Sequence, residues 1–310
     1  MEAFRLAWMN HKIRLGSMAP DLTRPTFLVL SLYGFFFYLQ RYTADQTIVQ
    51  RYLAAKSNTA ALRGIALGAV LCIPVWALFM LIGTLCWSFY QLTHEALPSY
   101  ITKADEVFPH FIVTHLPPGL AGLFLAALFG AAMANLSSDL NSLAAVGTED
   151  FYRLFRPSAT ERERLRAAKV IVAVCGALCV AIAIALARTR GTALSMWYTV
   201  SSIVAAGLAG LFLLAFFFER AGKTAAWLGI AASLIFTSWA TLSLNSGKAW
   251  NPGSVRFPLH EYMIGVIGHL ILLGVGTAAS FFFPNHDKAS KELTFWGWRR
   301  RKASTVVVIQ

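Results

Sequence analysis

Charged residues are scarce in this sequence: Asp, Glu, Lys and Arg make up 14% of its 310 residues, against about 25% in an ordinary soluble domain. Hydrophobic residues reach 57%, and the mean hydropathy is +0.57. The apolar residues form blocks long enough to cross the hydrocarbon core of a bilayer. The composition therefore excludes a soluble globular domain and predicts an all-α polytopic membrane protein.

Cysteine is rare too, and its positions exclude the sites that it usually builds. The four cysteines lie within apolar blocks, with no metal-ligand spacing to histidine and no disulfide framework. Neither the phosphate-binding loop G-x-x-x-x-G-K-[ST] nor the zinc motif H-E-x-x-H occurs. No clustered catalytic pair is visible either. We therefore expect no enzyme, no catalytic residue and no cofactor.

Acidic residues are few as well, since 15 Asp and Glu stand against 27 Lys and Arg, for a net charge of +12. Such an imbalance can indicate nucleic-acid binding, but here the basic residues lie between the apolar blocks and not along one exposed face. In a membrane protein this distribution reports topology, because loops rich in Lys and Arg stay in the cytoplasm. We therefore expect no nucleic-acid partner.

Seven apolar blocks are present, and they predict about seven transmembrane helices. They cover residues 26–40, 62–90, 119–146, 167–187, 193–218, 224–244 and 261–283. On one side of these blocks the connecting segments hold 18 Lys and Arg, and on the other side they hold 9. The positive-inside rule places the richer side, which includes residues 219–223 and the C-terminus, in the cytoplasm.

The predicted organisation is an extracytoplasmic loop at residues 1–24, a transmembrane bundle at 25–284 and a cytoplasmic basic and aromatic tail at 285–310. The tail contains Phe295, Trp296 and Trp298 followed by the basic run 299–302. Two interpretations stay open for it. It is either an anchor that lies at the interface on anionic lipid headgroups or a disordered solvated tail.

The third block carries a polar face. Asn135, Ser138, Asp139 and Ser142 are spaced by three and four residues, so they share one side of a helix. Polar and ionisable groups are costly inside a membrane, and by default they mark an ion or substrate path. The alternative is a helix end that reaches the water layer, with Ser and Asn packing against other helices.

Three segments resemble the sodium/solute symporter family, which includes sodium-coupled sugar, proline and pantothenate carriers. The first is residues 42–56, YTADQTIVQRYLAAK; the second is residues 131–153, with Leu140-Asn141-Ser142 and the run TEDFY; the third is residues 211–229. They occur in the family's order and spacing, and the similarity extends over about residues 20–284.

The resemblance implies a leucine-transporter-type fold, of which this chain supplies the second inverted repeat and the helices that follow it. The first block would then be a helix broken at the membrane midplane, in agreement with its short length, Gly34 and its early change to polar residues. The chain would correspond to the C-terminal half of a carrier. The N-terminal repeat is absent from this chain, so we expect that a working carrier needs it from outside this sequence. A separate polypeptide could supply it.

In the family, the helix that matches residues 119–146 holds sodium through a backbone carbonyl and two hydroxyl side chains. In this sequence the carbonyl position falls on Ala131 and the hydroxyl positions on Ala134 and Asn135, neither of which has a hydroxyl group. Ser137, Ser138 or Asp139 could substitute within one turn. If Asp139 faces the site, the coupling ion could be a proton, since a buried carboxylate can be protonated near working pH. We expect no other metal.

The family's sugar-binding positions fall on Tyr38, Arg41 and Tyr198, and its sugar-contacting lysine falls near Cys72. None of these positions has the residue type that binds sugar in the family, so we do not expect a sugar as the substrate. Arg41 could bind a carboxylate group of the substrate through a bidentate ion pair. Alternatively, it anchors the helix at the cytoplasmic side of the membrane. Tyr198 is either a ligand or an interfacial and packing aromatic.

The sequence therefore predicts an integral protein of the plasma (inner) membrane that carries a small solute together with a cation, sodium in the leading hypothesis, and that contacts lipid. A proton-coupled carrier is one alternative. A non-transporting sensor or assembly subunit that keeps the fold but has lost coupling is another, and Ala134 and Asn135 permit it.

Overall fold

The computed structural model describes residues 1–13, 16–187, 192–204, 207–245, 256–287 and 291–307. The α-helices in the first half of this described chain are α1 Glu2–Met9, α2 Phe27–Ala44, α3 Gln46–Leu53, α4 Asn58–Thr93, α5 Val107–His115, α6 Pro118–Val146, α7 Arg153–Phe155 and α8 Glu161–Ala187. The remaining α-helices are α9 Ala193–Val204, α10 Leu208–Phe217, α11 Lys223–Asn245, α12 Tyr262–Phe282 and α13 Phe295–Val307. A π-helix, Gly147–Tyr152, follows α6, and a short 3-10 helix, Ala104–Glu106, precedes α5.

Five helices of the described residues are long and apolar enough to cross a membrane, namely α4, α6, α8, α11 and α12. Each of the seven apolar blocks overlaps at least one of the helices given above. The first block forms the 18-residue α2, and the fifth contains both α9 and α10. The predicted all-helical membrane fold is therefore confirmed, with one block divided into two helices.

Side-chain caps and proline set where several helices begin. The side chain of Thr26 caps α2 by accepting a hydrogen bond from the backbone N–H of Val29 at 3.4 Å. Ser57 does the same for α4 through the N–H of Ala60 at 3.2 Å. At the start of α6, Pro118 occupies the first helical turn, where its missing N–H costs nothing.

The chain forms two compact units, Met1–Ile13 with Gln46–Ala193, and Arg14–Asp45 with Leu194–Gln310. In the first unit α6 packs against α8, and α1 packs against α4. No residue in the most apolar stretches of α4, α6 and α8 is buried within the described chain. Apolar surface on this scale requires lipid or further helices around it.

In the second unit α12 is the central helix, and it contacts α2, α10 and α11. Its buried residues pack with α2 and α11 in a core made of Val29, Tyr33, Ala240, Phe257, Met263, Ile264 and Val266. α10 approaches α12 very closely at Gly210. A Cβ atom at this position would lie 2.5 Å from the backbone oxygen of His269, so only glycine permits the contact.

Candidate functional site

The helix of the first apolar block is interrupted at Asp45, which lies beyond the end of that block at residue 40. α2 ends at Ala44, Asp45 has extended backbone angles (φ −75°, ψ 112°), and α3 begins at Gln46. Gly34 does not interrupt the helix, because α2 continues through it. At such an interruption the last carbonyl groups of one helix and the first N–H groups of the next lack intrahelical partners. These polar backbone groups are what a discontinuous membrane helix offers to ions and substrates.

Tyr38 and Arg41 lie three residues apart in the last two turns of α2, so they share one face of this helix. Tyr38 is 41% exposed and stacks on Tyr42, with 6.2 Å between ring centroids. Arg41 is exposed and forms no ion pair with any described residue. The two side chains therefore present an aromatic ring and an unpaired guanidinium group at the end of α2.

An aromatic row fixes the orientation of α2. Tyr33 stacks on Phe37 at 5.8 Å and lies 5.2 Å from Tyr262 of α12. Phe37 meets Trp197 of α9 edge-on at 5.3 Å. These contacts leave Arg41 on the part of α2 beyond the packed rings. The third predicted substrate residue, Tyr198, also lies in α9, but its side chain falls outside the described residues.

All five predicted cation-site residues lie in α6. Ala131, Asn135, Ser138 and Asp139 fall within about 100° of one another around the helix axis, and Ala134 lies at the edge of this face. Ser138 is half-buried and the other four residues are exposed. Ser142, one turn further on, is buried. We call the surface formed by residues 131, 134, 135, 138 and 139 the α6 polar face.

α8 does not cover the α6 polar face, because it packs on the other side of α6. A Cβ atom at Gly147 would lie 2.9 Å from Cδ1 of Ile171, and one at Gly176 would lie 3.9 Å from Cδ1 of Leu140. Leu140 and Gly147 lie about 100–150° from the centre of the polar face. Within the first unit the polar face is therefore open, and a further element can pack on it.

Every side-chain donor atom that this face offers to a cation is an oxygen: an amide oxygen from Asn135, a hydroxyl from Ser138 and a carboxylate from Asp139. Hard cations prefer such ligands. Ala131 and Ala134 supply only backbone carbonyl groups, each of which keeps a second lone pair beside its helical hydrogen bond. Elsewhere in the described chain, no group of three or more His, Cys, Asp or Glu side chains could hold a metal ion. The face can therefore bind a monovalent cation or carry a proton on Asp139.

The π-helix after α6 was not predicted from the sequence. Thr148 is buried, and its hydroxyl donates to the carbonyl oxygen of Ala144 at 2.7 Å. At the exposed side, Arg153 and Glu149 form an ion pair at 3.2 Å. The widened turn falls on the run TEDFY, one of the segments that carried the family resemblance. π-helical turns are rare, and they occur frequently at functional sites.

The division between α9 and α10 was also missed. Gly207 precedes α10 with φ at +96°, a left-handed conformation that side chains other than glycine rarely adopt. Its backbone N–H donates to Nδ1 of the buried His269 at 2.8 Å. The glycine was the one local signal for this feature, because the residues that flank it are apolar and continue the hydrophobic block.

The family model of the sodium:solute symporter family matches residues 12–232. The sodium/sialic acid symporter SiaT of Proteus mirabilis (strain HI4320) is 31% identical over 270 residues, which cover 85% of this chain and 50% of that protein. The human sodium-coupled monocarboxylate transporter 1 is 30% identical, and the match covers 75% of this chain and 38% of that protein. The chain thus spans about half the length, or less, of these relatives.

A solved structure gives the same result. It is described as the substrate-bound outward-open state of a Na⁺-coupled sialic acid symporter, and it superposes with a TM-score of 0.72 at 28% identity. The superposition covers 93% of this chain and 57% of that one. The resemblance to a leucine-transporter-type fold is confirmed. This chain is an integral membrane protein, and it belongs to the sodium:solute symporter family.

Proposed function

We propose that this chain forms part of a sodium-coupled symporter that carries a small carboxylate-bearing solute across the plasma (inner) membrane. The observation that carries the proposal is the interruption between α2 and α3 at Asp45, close in sequence to Arg41, which has no ion-pair partner among the described residues. A discontinuous helix of this kind supplies backbone groups for ions and substrate in secondary transporters. The family match over residues 12–232 supports the same class of activity.

In this proposal the α6 polar face supplies ligands for sodium. Ala131 contributes a backbone carbonyl, and Asn135, Ser138 and Asp139 contribute side-chain oxygens. Ala134 contributes no side-chain oxygen, so Ser138 takes the place of a hydroxyl one turn away. The single negative charge of Asp139 offsets the charge of one bound Na⁺, which lowers the cost of holding the ion away from water.

The substrate is proposed to be an anion because Arg41 has no described carboxylate partner. A guanidinium group binds a carboxylate through two parallel N–H···O bonds, and the planar fork selects for that geometry. The relatives named above are a sodium/sialic acid symporter and a sodium-coupled monocarboxylate transporter, which fits an acidic solute. The stacked rings of Tyr38 and Tyr42 offer an apolar surface to the body of the solute, and Tyr198 is proposed to contribute from α9.

The relatives contain about as much chain again as the part matched here. The proposal requires an equivalent of that remaining part to assemble with this chain, either on the same polypeptide or on a second one. It would cover the apolar surfaces of α4, α6 and α8 and complete the ligands around the cation. We propose further that the C-terminus is cytoplasmic and that the polypeptide has no enzymatic activity.

Proton coupling is a second candidate, and one observation favours it. Asp139 is the only carboxylate on the α6 polar face, and one carboxylate is enough to carry one proton. A non-transporting protein that keeps the fold is a third candidate, favoured by the absence of a side-chain oxygen at Ala134.

Transport in reconstituted vesicles tests these candidates. The complete carrier that contains this chain is placed in liposomes, and uptake of labelled sialic acid and of a set of monocarboxylates is followed. We expect uptake above the external level of solute only with an inward sodium gradient. Uptake driven by a proton gradient alone would favour the second candidate. Uptake that ignores both gradients would overturn symport, and solute binding without uptake would favour the third candidate.

A further inference from the structure

The C-terminal helix α13 is docked on the end of α10 in the second unit. Phe295 contacts Phe217 with 5.7 Å between ring centroids, and Nε1 of Trp296 donates to the carbonyl oxygen of Phe217 at 3.0 Å. Arg300 pairs with Glu219. The segment that leads into α13 is held as well, because the N–H of Asn285 donates to the carbonyl oxygen of Arg220 at 2.8 Å. The start of α13 therefore packs against the end of α10 through Phe295, Trp296 and Arg300.

An open cavity of about 360 Å³ lies beside this contact, with two arginines in its wall. The lining residues are Phe217, Phe218, Glu219, Arg220, Ser280, Phe281, Trp296 and Arg300. Glu219 is the one acidic residue among them, and its carboxylate is engaged by Arg300. Arg220 forms no ion pair with a described residue; its guanidinium carbon lies 5.8 Å from the ring centroid of Phe281. The cavity thus keeps one uncompensated positive charge.

The cavity also lies where lipid headgroups meet protein. The apolar helix α10 ends at Phe217 and the membrane-length helix α12 ends at Phe282, so the cavity is at the edge of the hydrocarbon layer. Trp296 and Trp298 are half-exposed beside it, as is usual for tryptophan at the membrane–water interface. The run Arg299 to Lys302 adds positive charge on the same helix.

We propose that this cavity binds the phosphate group of an anionic membrane phospholipid. Arg220 donates to the phosphate, and Arg300 shares its guanidinium group between Glu219 and the lipid. The acyl chains then lie along the exposed rings of Phe217 and Phe281, which are 44% and 64% exposed. Neither the family's transport activity nor the proposed solute site requires this cavity, so the two proposals fail or succeed separately.

Binding of soluble short-chain lipids to the purified chain in detergent, followed by native mass spectrometry, tests the proposal. The probes are phosphatidylglycerol, phosphatidylcholine with the same acyl chains and inorganic phosphate. We expect retention of phosphatidylglycerol at concentrations at which the other two do not bind. Equal retention of the two lipids would overturn the proposal. Equal affinity for inorganic phosphate would make the cavity a site for soluble anions and would overturn the assignment to lipid.

Charge variants separate this cavity from a general attraction to the basic tail. Arg220→Gln and Arg300→Gln are each expected to weaken phosphatidylglycerol binding about fivefold. Arg299→Gln removes the same charge from the same helix but does not line the cavity, so it is the matched control and should leave binding unchanged. Glu219→Gln frees Arg300 and should strengthen binding. This increase cannot come from a misfolded tail, whereas equal losses in all three arginine variants would contradict the proposal.

Discussion

The imidazole of His269 accepts a hydrogen bond from the backbone N–H of Gly207 at 2.8 Å. Because the peptide N–H is a donor, Nδ1 carries no proton, and the neutral ring holds its proton on Nε2. The ring is only 4% exposed and stacks on Phe36 of α2 at 5.3 Å. One side chain of α12 therefore satisfies the backbone at the start of α10 and also packs against α2.

Replacing His269 should separate its hydrogen-bonding role from its packing role. His269→Leu keeps the apolar bulk but leaves the buried N–H of Gly207 without an acceptor, at a cost of about 1–3 kcal/mol. His269→Asn can place an amide oxygen near the position of Nδ1 and should lose less stability. Thermal unfolding in detergent measures both variants. Equal losses would show that the hydrogen bond contributes nothing beyond packing.

The close approach of α10 to α12 predicts a strong effect of a single methyl group. Gly210→Ala would put a Cβ atom 2.5 Å from the backbone oxygen of His269, so the two helices must move apart and lose packing worth about 1–3 kcal/mol. Gly274→Ala in α12 is the matched control, because no atom lies within 4 Å of its added Cβ. A similar melting temperature for both variants would contradict the helix contact.

Much of the fold could be predicted from the sequence because membrane helices are uniformly apolar. The change of polarity after Leu39 indicated that this helix is interrupted, but it did not place the interruption at Asp45. The break at Gly207 was not, because the glycine lies between apolar residues such as Val204 and Leu208 and hydropathy does not register backbone conformation. The hydrogen bond to His269 spans 62 positions of sequence, and no local pattern can reveal such a pair.

The candidate site also has features that the sequence predicts and features that it does not. Helical periodicity alone brings Asn135, Ser138 and Asp139 to one face. Which members of that face are covered depends on tertiary packing, and the structure buries Ser142 while Asn135 stays exposed. The cavity beside Arg220 was beyond prediction, because it requires the docking of α13 on Phe217.

Serine substitutions on α6 test the cation site. Ser138→Ala removes the hydroxyl ligand proposed to replace the missing one at Ala134, so the sodium concentration for half-maximal uptake should rise by about tenfold, which corresponds to about 1.4 kcal/mol. Ser137→Ala removes the same group from a different side of α6 and should leave sodium dependence unchanged. An equal response in the two variants would remove Ser138 from the site.

Asp139→Asn should abolish coupling, and unchanged transport would exclude that carboxylate as a carrier of the ion.

Arg41 should determine affinity for an acidic solute. Arg41→Gln loses a charge-assisted pair worth about 1.5–3 kcal/mol, so the apparent KM for a carboxylate should rise by roughly tenfold to a hundredfold. Arg41→Lys keeps the positive charge but lacks the planar fork, so its apparent KM should fall between those of the unmodified carrier and Arg41→Gln. Arg51→Gln, an exposed arginine in α3, is the control. If the two glutamine variants behave alike, Arg41 is an anchor at the end of α2 and not a substrate ligand.

Sodium-driven accumulation is the most direct test of the central claim. Liposomes that contain the complete carrier are given an inward sodium gradient, and the uptake of a labelled carboxylate is measured with the gradient intact and after it is collapsed by a sodium ionophore. We predict accumulation above the external concentration that disappears when the gradient is collapsed. Accumulation that persists without a sodium gradient, or no accumulation of any carboxylate under it, would contradict sodium-coupled symport.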